Sequence, residues 1–209
     1  MKKQILVLAA LFFSIAPSAF AQETSDAGGG GSSSIGFAAN TYFDIYGYFG
    51  SGSSLVETSA NNPSLNQYGI GMTWALNTGG FLSGFGMEYR YIDHASDFKP
   101  EDGSYKGERF IPVFLTIGFV TSPFVVKLDY EFVGDYILKN PTVSGAQVIY
   151  RNPGGYRLSI MYELWPNTLF GLSYEDVRYR DRLDTANGQI GLTKGFKLSN
   201  VAAVIGYAF

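Results

Sequence analysis

The chain contains one histidine, His94, in the run Ile92-Asp93-His94-Ala95-Ser96. An imidazole beside a carboxylate and a hydroxyl is the inventory of a Ser-His-acid arrangement, which works only if the base comes within about 3 Å of the hydroxyl. The simpler reading is a solvated loop histidine among acidic residues, so no catalytic residue is expected. Asp97, Glu101, Asp102 and Glu108 follow in the same segment. Carboxylates are calcium ligands, but this spacing matches no calcium loop, and a solvated acidic loop without metal is expected. No glycine-rich phosphate motif stands between a strand and a helix, so no cofactor is expected either. The absence of cysteine excludes disulfides, thiolate metal sites and a catalytic thiol. With 15 basic against 18 acidic residues, nothing points to nucleic acid.

More informative are charges that recur at every second position. In Phe124 to Val133, "FVVKLDYEFV", Lys127, Asp129 and Glu131 alternate with Val126, Leu128, Tyr130 and Phe132. Glu88, Arg90, Arg157, Glu163 and Glu175 stand in the same relation to their apolar neighbours. A period of two is that of an extended strand, whose side chains leave opposite faces. One face is then ionic and the other aromatic and branched.

The elements that position these faces can be read along the chain. Lys2 and Lys3, the apolar run Ile5 to Ile15 and Ala19-Phe20-Ala21 predict a secretory signal segment over 1–21, cut after Ala21. Residues 22–34, rich in Gly and Ser, predict a flexible tail, periplasmic if the chain is exported. From 35 to 209 the period-two pattern occurs eight times: Ile35–Tyr48, Gln67–Leu76, Phe81–Ile92, Arg109–Val120, Phe124–Val133, Tyr156–Trp165, Leu169–Tyr179 and Leu198–Phe209. The connections alternate long and short. The short ones are Asn77-Thr78-Gly79-Gly80, Thr121-Ser122-Pro123 and Pro166-Asn167-Thr168, and the long ones begin at Gly50, Asp93, Gly134 and Arg180. This alternation predicts an all-β, eight-stranded antiparallel up-and-down transmembrane β-barrel, with tight turns at one rim and large loops at the other. Fifteen Tyr, 17 Phe and 26 Gly suit strands separated by turns.

A basic side chain facing mid-bilayer lipid costs about 2–4 kcal/mol. The ionic face therefore belongs inside, where an eight-stranded barrel is narrow enough to be filled by side chains. Glu88, Arg90, Lys127, Asp129, Glu131, Arg157, Glu163 and Glu175 are expected to form an interior charge network. Glu131 is expected to pair with Arg157, and Lys127 with Glu163. The outer face is expected to carry two aromatic girdles. Trp74, Phe81, Phe119, Phe124, Phe170, Tyr207 and Phe209 would form the one at the turn rim, and Tyr68, Tyr89, Tyr91, Tyr130, Tyr156 and Tyr174 the one at the loop rim. In the seventh strand Asp176 and Arg178 fall on the outer phase, which calls for a β-bulge near Glu175 or for the strand to have left the membrane there.

With these features the region Ile35 to Phe209 resembles the small eight-stranded outer-membrane barrels of Gram-negative bacteria: the OmpA-type transmembrane domain and the OmpX-type and OmpW-type proteins. The most specific residues are Phe209, Tyr207 and Ile205, similar to the C-terminal signal read by the barrel assembly machinery in that family. The resemblance implies a monomeric integral outer-membrane protein with a structural or surface-interaction role, in contact with outer-membrane lipids and lipopolysaccharide. A narrow, porin-like channel for small or apolar solutes, as in the OmpW type, is the alternative it leaves open. Arg109, Arg178, Arg180 and Arg182, near the loop rim, are expected candidates for lipid A phosphates. His94-x-Ser96 resembles the lipid A deacylase pattern, but that pair lies in the last part of its barrel and this one in the middle, so an enzyme is not expected.

Overall fold

The computed structural model describes residues 40–56, 64–94, 106–139, 147–184 and 188–209. The expected signal segment 1–21, the 22–34 tail and the beginning of the first predicted strand lie outside them, as do Ser96, Asp97, Glu101 and Asp102. Eight strands occur in chain order: β1 (Asn40–Val56), β2 (Ser64–Thr78), β3 (Phe81–His94), β4 (Lys106–Thr121), β5 (Phe124–Lys139), β6 (Gln147–Trp165), β7 (Thr168–Asp184) and β8 (Gly188–Ala208). Each pairs antiparallel with the next, and β1 pairs with β8 from Asp44↔Ala208 to Val56↔Phe196, so the sheet is a closed barrel. Over that paired length closure leaves neither β1 nor β8 as a free edge.

The tight turns lie at one rim. Gly79 and Gly80 have φ of 63° and 88°, and Asn167 has φ 65°; these left-handed conformations suit glycine and asparagine in two-residue hairpin turns. At the other rim the strands run much further than their apolar alternation. The described residues of the segments expected as loops after Gly50, before Arg109, after Gly134 and after Arg180 are strand, and β8 reaches 21 residues. At roughly 3.3 Å per residue that strand is about 70 Å long. The reason is that backbone pairing does not need an apolar outer face, so the ladder continues where the side chains become polar.

β1, β2, β3, β7 and β8 keep one inward phase over their apolar length, but β4, β5 and β6 do not. In β4, Arg109 and Ile111 point inward, then Phe114 and Thr116, with Pro112 and Val113 between them. In β5 the inward series Lys127, Asp129, Glu131 gives way to Gly134, Tyr136, Leu138 across Phe132 and Val133. In β6, Tyr150 and Pro153 point inward around Asn152, whose φ is 54°. Register is lost at Phe110/Val113 on the β4–β5 ladder and recovered beyond it. Because three adjacent strands slip at one height, each still opposes its neighbour correctly on both sides of the slip. Proline, without an N–H, and asparagine, tolerant of positive φ, are the residues such bulges accept. Ile111, which unbroken alternation with Leu115, Ile117 and Phe119 would set on the outer face, is therefore buried inside. The bulge considered near Glu175 does not occur: the β6–β7 register runs unbroken from Leu158↔Tyr174 to Gly154↔Arg178.

Candidate functional site

The interior is built in three layers along the barrel axis. Nearest the turns, Tyr42, Ala75, Leu82, Val125, Met161, Leu169 and Val204 pack with Tyr46 and Tyr48. The Lys127 ammonium enters this layer, donating to Asp44 Oδ2 (2.5 Å) and Thr73 Oγ1 (3.0 Å), and Tyr42 donates to the same Asp44 oxygen (2.8 Å). Asp44 is not among the charges expected inside, although it shares the buried phase of Tyr42 and Tyr46.

The middle layer is ionic. Arg157 donates from Nε and Nη2 to Asp129 Oδ2 (2.9 and 2.7 Å) and from Nη1 to Glu88. Glu88 also accepts from Arg90 Nε, two residues along β3, and from the Tyr46 hydroxyl (2.8 Å). Arg90 Nη1 reaches Glu175 (2.5 Å) and Gln67 (3.1 Å), and its guanidinium carbon lies 3.6 Å from the Tyr48 ring centroid. Arg109 closes the layer by donating to both Glu175 and Glu131. All of these charged side chains are buried. Two glycines make room for the rings beside them: a Cβ at Gly71 would stand 2.4 Å from Tyr46 Cζ, and one at Gly86 2.2 Å from Phe114 Cζ. The packing leaves little empty space. The interior void lined by Tyr46, Lys127, Asp129, Arg157, Ser159, Met161 and Val204 measures about 10 Å³, roughly the least that admits one water.

Above the ionic layer, toward the loop rim, is an aromatic cap. Tyr150 stacks on Phe196 (4.3 Å, 16°), and Tyr136 and Tyr179 close on Phe196 at 4.9 and 5.7 Å. Leu65, Ile92, Leu138, Val177 and Leu198 complete it. His94 belongs to this cap and is not the solvated loop residue expected: it is buried, with Nε2 2.5 Å from the Tyr136 hydroxyl. It lies beyond the apolar belt described below, and burial pulls its imidazole down to a pKa of about 4.

The sequence-expected charges sort as follows. Glu88, Arg90, Asp129, Glu131, Arg157 and Glu175 meet in the ionic layer, and Lys127 lies one layer below. Glu163 does not join them. It stands half-buried at the turn rim, where its Oε1 accepts from the Asn167 amide (2.7 Å) and fastens the turn. Both expected pairings are replaced, because heights estimated from strand ends miss the stagger of a tilted ladder. Asp129 stands opposite Arg157 and Glu131 opposite Gly155, while Lys127 turns to Asp44. Arg109, expected at the rim, is fully buried in the ionic layer. The signal that could have revealed it is Pro112, which marks the slip that turns Arg109 inward.

On the outer wall, the expected aromatics point outward in contact pairs near the turns, among them Phe81 with Phe119, Trp74 with Phe85, and Tyr207 with Phe209. Trp165, overlooked in the alternation, is 62% exposed beside Phe170 because a register shift after Glu163 turns it outward with Leu164. Tyr68 and Tyr91 pair nearer the loop rim. Phe209 donates its amide to the Phe43 carbonyl (2.8 Å) and sets its ring 5.5 Å from that of Phe43. Between the aromatics the wall is aliphatic and open, with Ile70, Leu115, Ile160, Leu172 and Val201 more than half exposed. Outward charges begin only toward the loop rim, where Glu108 meets Lys139, Asp135 meets Arg151 (3.7 Å) and Asp176 meets Lys197 (2.8 Å).

An all-β closed barrel of eight strands, apolar outside and ionic inside, is the architecture of the small outer-membrane β-barrels. No protein-family model and no curated protein matches the chain in sequence. Among solved structures, the Neisserial surface protein A crystal structure is similar with a TM-score of 0.52 and 12% identity, covering 83% of this chain and 100% of that one. Ail, the attachment invasion locus protein of Yersinia pestis, gives 0.49 at 14% identity over 82% and 100%. The outer membrane protein AlkL gives 0.48 at 9% over 90% and 96%. At these identities the likeness is one of fold.

Proposed function

We propose that the protein is an integral outer-membrane barrel with a closed lumen, acting as a structural or surface-interaction protein and neither a pore nor an enzyme. The membrane reading is supported by the outer wall. On β5 the stretch with no outward charge runs from Phe124 to Val133, and on β6 from Tyr156 to Trp165. Each is about the 9–11 residues that cross a hydrocarbon core at a tilt. An exposed apolar belt of this extent would aggregate in water, and its aromatics suit the two interfacial girdles. The expected signal segment, with cleavage after Ala21, and Ile205, Tyr207 and Phe209 as an assembly signal fit the same reading.

The observation that carries the functional reading is the filled interior. A ladder of buried ion pairs and an aromatic cap stand in series across the axis, which opposes the channel alternative. His94, engaged by Tyr136 inside the cap, is poorly placed as a base. What remains for interaction is the tall wall beyond the belt, where Arg178 and Arg180 are exposed and could meet lipid A phosphates; Arg109, buried, is removed from that set. The protein reconstituted in planar bilayers should be electrically silent, and a heat-dependent gel mobility shift should report the folded barrel. Reproducible unitary conductance steps from the folded form would sink the closed-lumen reading.

A further inference from the structure

The outer wall over β6, β7 and β8 carries two features, one above the other. The lower is an open hollow of about 430 Å³ within the apolar belt, lined by no charged residue. Its shape follows from the ladder. Tyr162 and Phe170 stand opposite each other at the turn end, with Phe124 beside Tyr162, and Tyr174 stands between Leu158 and Val201 at the other end. The row between them is Ile160 and Leu172, with Ala203 next on β8. A floor of aliphatic side chains thus lies between the rings of Tyr162 and Phe170 on one side and of Tyr174 on the other. The upper feature is cationic. Four residues beyond Tyr174, about 13 Å along the strand at roughly 3.3 Å per residue, Arg178 stands with Gly154 on one side and Lys197 on the other. Gly154 offers no side chain, and Arg180 reaches over it: a Cβ there would lie 3.6 Å from Arg180 Nη2. Lys197 holds Asp176 (2.8 Å) and Asp181 accepts from Asn152, which leaves Arg178 and Arg180, both exposed, with no ion pair among the described residues. Elsewhere above the belt each outward cation among those residues faces an acid: Lys106 stands across from Asp93, Lys139 beside Glu108 and Arg151 beside Asp135.

We propose that this face is a binding site for one anionic, phosphate-bearing lipid, with its phosphate on Arg178 and Arg180 over Gly154 and an acyl chain in the hollow below. The site deepens the surface-interaction reading and rests on the membrane reading given above. The hollow alone would take any apolar chain, and the arginines alone any anion. Their order along β7 selects a molecule that has both, oriented with its head toward the loop rim. Guanidinium suits that head because its planar fork meets phosphate oxygens in pairs, and basic side chains at a membrane surface attract anionic headgroups. Tyr156 and Tyr174, between the two features, have the amphipathic rings that favour the boundary between headgroup and chain. The unpaired cations and the hollow coincide on this face, and that coincidence is what makes it a site and not merely lipid-facing wall.

Native mass spectrometry of the folded full-length barrel, released from detergent with phosphatidylglycerol or with phosphatidylcholine of the same chains, tests the site. The wild type should retain one phosphatidylglycerol in preference to phosphatidylcholine. That preference should fall about five-fold with each of Arg178→Gln and Arg180→Gln, and should be lost in Gly154→Glu, which sets a carboxylate beside both arginines. Leu172→Trp, which fills the hollow, should weaken retention of both lipids and leave the preference between them unchanged. All four positions lie on the outer surface, and the heat-dependent mobility shift reports whether each variant has folded. Equal retention of the two lipids by the wild type, a preference untouched by both arginine variants, retention unchanged in Leu172→Trp, or displacement by equimolar inorganic phosphate overturns the proposal. So does a dimer without bound lipid, since a second copy would then cover the face. A chain soluble without detergent would fail at the membrane reading instead, before any lipid is added.

Discussion

The barrel carries two sets of ion pairs that share their chemistry and differ in surroundings. Inside, Arg90, Arg109 and Arg157 link four acids in a continuous circuit buried from bulk solvent. Outside, above the apolar belt, Glu108–Lys139, Asp135–Arg151 and Asp176–Lys197 bridge neighbouring strands as isolated, partly exposed pairs. The inner residues are mostly arginine, whose planar fork serves two acids at once; lysine recurs in the outer pairs. The difference teaches that an ion pair's contribution depends on what happens when it breaks. A broken outer pair is solvated, whereas a broken inner one leaves a charge with nowhere to go.

The comparison breaks most visibly at Arg157. Truncation to Ala strands Asp129 and Glu88 without their shared cation, and removing one member of a buried pair costs about 3–5 kcal/mol. The expected outcome is a large drop in the urea midpoint of the reconstituted barrel, and a loss below about 1 kcal/mol would mean that water reaches the layer. Replacing Arg157 together with Glu88 and Asp129 by apolar residues of similar volume should recover much of the loss, since no charge is then left unpaired.

How far the sequence shows these two sets depends on phase. The period-two alternation in "FVVKLDYEFV" places Lys127, Asp129 and Glu131 on the inner face without further help, and the alternating connection lengths give eight strands and an up-and-down order. Arg109 is illegible by the same rule, because phase is a running count and the slip at Pro112-Val113 resets it. Partners are harder still. Whether Asp129 or Glu131 meets Arg157 depends on strand stagger, which a one-dimensional pattern does not carry. Apolar alternation gives strand ends that are too short, because it marks only where the outer face is apolar, while pairing continues above. His94 read as a loop residue for that reason: it ends β3 beyond the belt, inside the cap.

His94 gives an effect of middle size and tests the wall between cap and solvent. Its folded pKa, near 4, lies below the 6.5 of the free side chain because burial opposes the charged form. The unfolded chain therefore binds more protons between these values, so stability is full above about pH 6.5 and falls as pH drops toward 4. The contribution lost by pH 4 is about 3 kcal/mol. Carboxylates titrate in the same range, so the informative quantity is the wild type against His94→Gln. The variant should lose less stability across that window, and equal slopes would show that water already reaches the imidazole.

The smallest effect belongs to the outer pairs. Lys197 and Asp176 lie 2.8 Å apart with about a third and a fifth of their side chains exposed (31% and 22%). Exposed pairs contribute about 0–1 kcal/mol and weaken with salt. Lys197→Ala should therefore shift the unfolding midpoint by less than about 1 kcal/mol at low salt, and by nothing measurable in molar salt. Arg157→Ala should keep most of its effect there, because ions cannot enter the inner layer to screen it. The salt dependence thus separates the two sets even where their magnitudes overlap: if the Arg157→Ala penalty also disappeared in molar salt, the inner circuit would be wet and both sets would be of one kind.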